Sequence, residues 1–140
     1  MNERYIRQIM IPEIGEAGQE KLKNAKVLIV GIGGLGSPIS LYLTAAGVGQ
    51  IGLIDDDIVS KSNLQRQILY TEAEIGQSKV ECACRRLSAL NSSTRFETYP
   101  NRFTPDNANR LVSAYDIIVD GCDNAATRYL IDDVCSRFKK

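Results

Sequence analysis

The chain has 140 residues, 44% of them hydrophobic and 24% charged, which is typical of one globular domain that buries a core. Its 17 basic and 17 acidic residues cancel, so no excess positive charge indicates nucleic acid or an anionic membrane as a partner. No stretch approaches membrane-spanning length, and residues 1–5 lack the pattern of a signal peptide, so we expect a cytoplasmic protein.

Two short helices are predicted ahead of the first strand, and we interpret residues 1–25 as a helical arm. The first helix covers residues 2–10, with Tyr5, Ile6 and Ile9 on one apolar stripe. The second covers residues 16–24. Arg4 and Arg7 lie on another face of the first helix, and their spacing alone favours a solvent-exposed position over a functional one.

A glycine-rich turn follows the first predicted strand. The strand, Val27–Val30, is a continuous apolar run, as in parallel strands that are buried on both faces. Gly31, Gly33 and Gly36 then match G-x-G-x-x-G, and Gly34 removes one more side chain. Such a turn, opening a helix over residues 37–46, presents backbone N–H groups and the helix dipole to an anion.

An acid stands where a nucleotide fold places one. The second strand covers residues 50–54 and runs into Asp55, which lies 19 positions after Gly36. A carboxylate at this point binds ribose hydroxyls in dinucleotide and mononucleotide folds. The series of strand, turn, helix, strand and acid therefore favours a bound nucleotide over a glycine turn without a ligand.

The remaining chain continues to alternate between helices and strands. Its predicted elements are a loop with a short helical turn (55–67), a helix (77–90), a strand (95–99), a helix capped by Thr104 with Pro105 at its first position (104–113), a strand (116–120) and a helix (125–138). Lys79 near the start of its helix opposes the helix dipole, which hints at a nearby anion. The fold class predicted is α/β: a Rossmann-like open parallel β-sheet with helices on both faces, in a single domain, with the nucleotide-binding fold over residues 26–140.

The residue types present limit the chemistry. The chain has no histidine, which excludes Ser-His and Cys-His catalysis. Its four cysteines include no C-x-x-C pair, so they do not form a zinc site, and we interpret Cys122 and Cys135 as packed thiols rather than nucleophiles. Catalysis must therefore rest on Arg, Lys, Asp and Asn.

Five separated motifs together carry a resemblance to a known family. They are Arg4–Ile9, Gly31–Gly36, Asp55–Asp57 with Ser62–Gln67, Gly76–Lys79, and Cys122–Asn124 with Arg128. In this order they resemble the ThiF/MoeB family, the bacterial relatives of ubiquitin-activating enzymes. The resemblance implies an adenylyltransferase that uses ATP and Mg²⁺ to adenylate the C-terminal glycine carboxylate of a ubiquitin-like sulfur-carrier protein, releasing pyrophosphate.

The resemblance also assigns roles to the matching residues. It places Gly31, Gly33, Gly34 and Gly36 on the nucleotide phosphates, Asp55 on the ribose, Asn63, Arg66 and Lys79 on phosphate, and Mg²⁺ on Asp123. It makes Arg7 an arginine finger that reaches into the partner subunit's site of a homodimer. It further implies cofactor contacts for Asp57, Ser62, Gln65 and Asn124. Asp57 could support the metal, orient Arg66, or belong to a solvated acidic turn.

The implied chemistry suits these residues. A carboxylate that attacks the α-phosphate is already ionised at neutral pH, so the reaction needs fixed cations and a metal rather than a base. Taken singly, Arg66 and Lys79 could be surface charges and Asp123 could be the N-cap of the last helix. Their joint occurrence at three carboxyl-end loops of one sheet favours the functional interpretation.

The sequence also departs from the family pattern. Family members continue beyond the position of Lys140 into further strands, a sulfur-handling cysteine and two C-x-x-C zinc pairs, none of which can be placed here. We therefore expect a nucleotide-binding fold truncated at its C-terminal end. Two alternatives stay open: a non-catalytic nucleotide-binding or dimerisation fragment, and an NAD-dependent oxidoreductase. The second does not explain Arg66, Lys79 and Asp123. The carrier, of thiamin or molybdopterin type, is not identified by these residues.

Overall fold

A four-stranded parallel sheet forms the centre of the computed structural model, which describes residues 3–140. Its strands are Lys26–Val30 (β1), Gln50–Ile54 (β2), Arg95–Tyr99 (β3) and Ile117–Asp120 (β4), in the order β3-β2-β1-β4. Val27 of β1 lies opposite Ile51 on one side and Ile117 on the other. Because all strands are parallel, their carboxyl ends, and the loops that follow them, lie at the same edge of the sheet.

The helices follow the prediction closely. Those in residues 3–140 are Ile6–Ile9 (α1), Gly15–Asn24 (α2), Gly36–Ala46 (α3), Lys79–Leu90 (α4), Pro105–Ala114 (α5) and Ala125–Phe138 (α6), with short 3₁₀ turns at Glu3–Tyr5, Lys61–Asn63 and Glu72–Glu74. The predicted bounds agree within two residues except at the start of the first helix: residue 2 lies outside the described residues, and Glu3–Tyr5 form a 3₁₀ turn, so the α-helix begins only at Ile6. Thr104 caps α5 as predicted, its backbone N–H donating to the Asn107 side chain at 3.0 Å.

Two apolar cores cover the two faces of the sheet. Val27, Ile29, Ile51 and Leu53 belong to the first, together with Leu87 of α4 and partly buried side chains of α3. Leu28, Val30 and Ile54 belong to the second, together with side chains of α5 and α6. Alternate residues of β1 therefore point to opposite cores, and the prediction of helices on both faces is confirmed.

The N-terminal arm lies at the amino end of the sheet. The buried Tyr5 hydroxyl accepts a hydrogen bond from Asn91, directly after α4, at 2.7 Å. Gln8 and Gln19 both donate to the carbonyl of Ala46, the last residue of α3, at 3.1 and 3.0 Å. Since α3 and α4 lead into the amino ends of β2 and β3, the arm is fixed at the edge of the sheet opposite the glycine turn. No helix within residues 3–140 is long and apolar enough to cross a membrane.

Candidate nucleotide-binding site

A cleft of about 620 Å³ opens at the carboxyl edge of the sheet, within the size range of small-molecule sites. Ten of the predicted site residues line it: Gly31, Gly33, Gly34, Asp55, Asp57, Asn63, Arg66, Lys79, Asp123 and Asn124. Gly36, Ser62, Gln65 and Arg7 are not among its lining residues. The loops after three different strands thus bring together residues that lie up to 93 positions apart in the sequence.

The glycines of the turn divide into two kinds. Gly31 has φ +90°, and a β-carbon there would lie 2.9 Å from the Gly121 carbonyl carbon, so it permits close passage of the β4–α6 loop. A β-carbon on Gly36 would collide with the Gly31 carbonyl oxygen, so Gly36 lets α3 start against the turn. Gly33 and Gly34 line the cleft itself, and their bare backbone forms its floor at the N-terminus of α3.

The Asp55 carboxylate is anchored at the end of β2. Its Oδ2 accepts from the backbone N–H of Ile32 at 2.8 Å, and its Oδ1 accepts from the N–H of Asp57 at 2.9 Å. These bonds hold a half-buried carboxylate beside the glycine turn, where the sequence predicts the ribose. Tyr70 stabilises the same turn by donating from its hydroxyl to the Ile32 carbonyl at 2.6 Å.

Lys79 enters the cleft as a buried cation. Its side chain is 5% exposed and its Nζ lies 2.9 Å from Asp57 Oδ2. The hydrogen bond from Lys79 holds the pKa of the Asp57 carboxyl below its usual range. The structure therefore supplies the anion that the position of Lys79 suggested, and gives Asp57 the partner Lys79 rather than Arg66.

The pair depends on how two loops meet. The backbone N–H of Val59 donates to the Gln77 carbonyl at 2.9 Å, and that of Lys79 donates to the Asp57 carbonyl at 3.1 Å. Together with an antiparallel bridge between Ile58 and Ser78, these bonds join the segment after β2 to the start of α4. Asp57 and Lys79 are placed by this backbone pairing, which no short motif in the sequence indicates.

The loop between Ser60 and Gln67 provides a second cation. Arg66 is exposed, lines the cleft and donates from Nη1 to the Ser62 carbonyl at 3.3 Å. The Asn63 side chain accepts from the backbone N–H of Ser60 at 3.2 Å, which fixes the short 3₁₀ turn. Ser62 contributes its carbonyl to Arg66, whereas Gln65 is exposed and lies outside the cleft lining.

The loop after β4 brings an exposed carboxylate and a hydrogen-bonded arginine to the cleft. Asp123 is exposed and lines the cleft, but the cap of α6 is Asn124, whose side chain accepts from the Thr127 N–H at 3.1 Å. Arg128 donates to the Cys122 carbonyl at 2.9 Å and lies 3.9 Å from Asp120. The capping alternative for Asp123 is therefore wrong.

The cysteines behave as packed thiols. Cys122 and Cys135 both pack against the second core, as predicted. Burial, and then the hydrogen bond to Asp120 at 2.7 Å, raise the pKa of the Cys122 thiol, which keeps it protonated and poorly nucleophilic at neutral pH.

Sequence reasoning missed one wall of the cleft. Asn101, Arg102 and the buried Phe103 line it from the loop after β3, and Arg102 lies 3.9 Å from Asp56. The position of this loop in the chain could have indicated its role. Because β3 ends at Tyr99, the loop that follows lies at the carboxyl edge of the sheet, where the site is. No glycine or acidic motif marks that loop.

Arg7 lies far from the cleft of its own chain. It is exposed on α1, which is fixed to the distal end of α3 through Gln8 and Ala46. The 11 residues of α3 span about 16 Å at 1.5 Å per residue, and the cleft lies at the other end of that helix.

A magnesium ion fits the acidic rim of the cleft. Among residues 3–140 no three carboxylate or thiol groups converge as a ready-made metal cluster. Mg²⁺ commonly binds through one or two carboxylates together with substrate phosphates and water, and Asp123 presents one exposed carboxylate at this position. Asp120 is less suited, because its carboxylate already accepts from Cys122.

The ThiF family model matches residues 5–140. The chain belongs to the ThiF family. Adenylyltransferase and sulfurtransferase MOCS3 of Culex quinquefasciatus is 53% identical over 137 residues, which cover 98% of this chain and 31% of that protein. Sulfur carrier protein adenylyltransferase of Thermus thermophilus is 50% identical over 131 residues, covering 94% of this chain and 48% of that protein. The chain thus spans less than half the length of each of these relatives.

Solved structures agree with this membership. E. coli tRNA N6-threonylcarbamoyladenosine dehydratase, TcdA, in complex with ATP has a TM-score of 0.91 at 30% identity, covering 97% of this chain and 56% of that one. E. coli MccB with MccA-N7isoASN has a TM-score of 0.80 at 34% identity, covering 87% of this chain and 36% of that one. The fold of this ThiF-family chain is therefore shared with TcdA in complex with ATP and with MccB bound to MccA-N7isoASN.

Proposed function

We propose that this chain is the ATP-binding adenylation domain of an enzyme that adenylates the C-terminal glycine carboxylate of a ubiquitin-like sulfur-carrier protein. The observation that carries the proposal is that one cleft is lined by the buried Lys79 side chain, by exposed Arg66 and by the Gly33–Gly34 backbone at a helix N-terminus. Each of these features favours phosphate groups. The names of relatives about 50% identical, which include sulfur carrier protein adenylyltransferase, support the choice of reaction and partner.

The reaction divides into binding and charge stabilisation. In our proposal Asp55 orients the ribose, and the Gly33–Gly34 backbone holds the first phosphate. The carrier's carboxylate, already ionised, attacks the α-phosphate, and its bond to phosphorus forms as the bond to pyrophosphate breaks. Arg66 and Lys79 stabilise the charge that gathers on the phosphate oxygens and the leaving group. No proton transfer is required, which suits a chain without histidine.

Asp123 would hold magnesium in this arrangement. A bound Mg²⁺ supplies positive charge to the phosphates and favours departure of pyrophosphate. The contribution of the chain is one exposed carboxylate that lines the same cleft as Lys79. The four cysteines are free thiols, which fits a reducing compartment, and we place the protein in the cytoplasm.

We assign Arg7 to the site of a partner subunit. The arm is fixed at the amino edge of the sheet by the Tyr5–Asn91 and Gln8–Ala46 hydrogen bonds, so Arg7 cannot serve the cleft of its own chain. A homodimer in which the arm crosses to the other cleft would give Arg7 a phosphate to bind. Mixing Arg7→Ala and Asp123→Ala chains tests this, because mixed dimers carry one site with both residues intact. Recovery of exchange activity in the mixture is expected, and two inactive parents that stay inactive together would refute the assignment.

The function itself is tested by two measurements on the purified chain. Calorimetric titration with Mg-ATP and with NAD⁺ comes first, since the chain has no tryptophan to report binding. Carrier-dependent ATP–pyrophosphate exchange follows. We expect Lys79→Met to lower the exchange rate by about 100-fold or more. Lys61 is exposed and lies outside the cleft lining, so the control Lys61→Met should leave the exchange rate unchanged.

The outcomes separate the alternatives. ATP binding without exchange would indicate the non-catalytic nucleotide-binding alternative, and NAD⁺ binding without ATP binding would indicate the oxidoreductase.

A further inference from the structure

Gln67 is a buried polar residue whose carboxamide oxygen has no partner. It is 4% exposed, and its Oε1 accepts no hydrogen bond within the described residues. Two other buried side-chain atoms share this property, the hydroxyl oxygens of Ser37 and Thr44. Of the three residues, Gln67 is the one that lines the nucleotide cleft.

The amide nitrogen of Gln67 faces the glycine turn. A β-carbon built on Gly33 would lie 3.4 Å from Gln67 Nε2, at the limit of close contact. The missing side chain at Gly33 thus leaves room for a ligand directly beside this donor. Gln67 itself is held in place by its backbone, because its N–H donates to the Asn63 carbonyl at 2.8 Å and its carbonyl accepts from Tyr70 at 3.2 Å.

Burying this amide weakens the fold. An unpaired buried oxygen loses its hydration without gaining a protein partner, whereas methionine has a similar length and carries no strong acceptor. The neighbouring positions show no such conflict, since Leu69 is apolar and the Tyr70 hydroxyl donates to the Ile32 carbonyl. A phosphate has only acceptor oxygens and cannot pair with Oε1, so the group of Gln67 that can bind one is Nε2, which has no hydrogen-bond acceptor within the described residues.

We propose that Gln67 binds the α-phosphate of the nucleotide through its Nε2 donor. This inference rests on the proposed function. Asp55, the ribose ligand in that proposal, accepts from the Ile32 N–H at 2.8 Å, so the phosphate nearest the ribose lies at the next residue, Gly33. Gln67 is thereby a neutral donor to the phosphate that is attacked, beside the charged Arg66.

A nucleotide series on one variant tests the contact. Affinities of ATP, AMP and adenosine are measured by calorimetry for the wild type and Gln67→Met, with Ile68→Met as the control on an exposed neighbour outside the cleft lining. We expect Gln67→Met to lose about 10-fold in affinity for both ATP and AMP and nothing for adenosine, because only the first two carry the α-phosphate. Its melting temperature without ligand should equal or exceed that of the wild type.

Each other outcome counts against the contact. Unchanged AMP affinity, or an equal loss for adenosine, would overturn it, and a wild type that binds no ATP would instead overturn the proposed function. If Gln67→Met fails to fold, the isosteric Gln67→Glu decides. Its carboxylate should repel phosphate at about pH 8 and recover AMP affinity as the pH falls toward about 4, the range in which a glutamate carboxyl takes up a proton and can donate. A pH-independent AMP affinity in Gln67→Glu would refute the proposal.

Discussion

Replacing Asp57 by Asn tests whether Lys79 is held for a phosphate. The Lys79 side chain is 5% exposed and its ammonium donates to Asp57 Oδ2 at 2.9 Å, while the Asp57 side chain is 60% exposed. A charge-assisted hydrogen bond contributes about 1.5–3 kcal/mol, which solvent screening on the Asp57 side reduces to roughly 1–2 kcal/mol. For a chain of this size we expect the melting temperature to fall by about 3–8 °C.

The effect should depend on pH and on ligand in a defined way. Because the pKa of Asp57 is lowered in the folded state, its stabilisation is present above the unfolded pKa of about 4 and is lost as the pH falls through the folded pKa. The difference between wild type and Asp57→Asn should therefore be constant from about pH 5 to 8. Saturating Mg-ATP should shrink it, since phosphate oxygens replace the missing carboxylate beside Lys79.

Differential scanning calorimetry with and without Mg-ATP measures both effects. Asp56→Asn is the matched control, because Asp56 lies 3.9 Å from Arg102 with both side chains more than half exposed, and its loss should shift the melting temperature by only about 1–2 °C. Equal losses in the two variants, or an Asp57→Asn deficit that ATP leaves untouched, would refute the reasoning.

Three further substitutions separate binding from folding. Gly34→Ala places a methyl group 3.5 Å from the flexible Arg66 side chain, so thermal unfolding should be nearly unchanged while calorimetry shows about 10-fold weaker ATP binding; unaltered affinity would argue against a phosphate on this floor. Gly36→Ala drives a methyl group into the Gly31 carbonyl oxygen, so urea unfolding should show a loss of several kcal/mol, and a stable variant would contradict the packing role. Asp123→Ala should fold normally but lose the magnesium dependence of ATP binding in a metal titration, and a dependence like that of the wild type would exclude Asp123 as the ligand.

Local pattern was sufficient to predict the elements of the fold. The residues of Val27–Val30 pack alternately into the two cores on opposite faces of the sheet, so every position of the run is apolar. Thr104 and Pro105 indicated the start of α5 because the cap and the first helical position require those residue types. Such signals act within a few residues of one another, so one sequence suffices to interpret them.

Contacts between loops could not be predicted in the same way. Asp57 contacts Lys79 because the segments around Val59 and Gln77 pair through their backbones. Backbone hydrogen bonds do not require particular residue types, so the sequence does not indicate this pairing. Phe103 was missed because the loop after β3 carries no glycine or acidic motif. The N-cap of α6 went to Asn124 rather than Asp123, a difference of one position that spacing does not resolve.

Charge balance in the cleft explains why one chain is not expected to complete the reaction alone. The charged residues that line it are Asp55, Asp56, Asp57, Asp123, Arg66, Lys79, Arg102 and Arg128. The four carboxylates and four cations cancel, while ATP and a carrier carboxylate bring only negative charge. Lys79 and Arg128 are moreover already bonded to Asp57 and to the Cys122 carbonyl. Additional positive charge is therefore needed at the moment of attack, and magnesium on Asp123 and Arg7 of a partner subunit are the two sources that our proposal supplies.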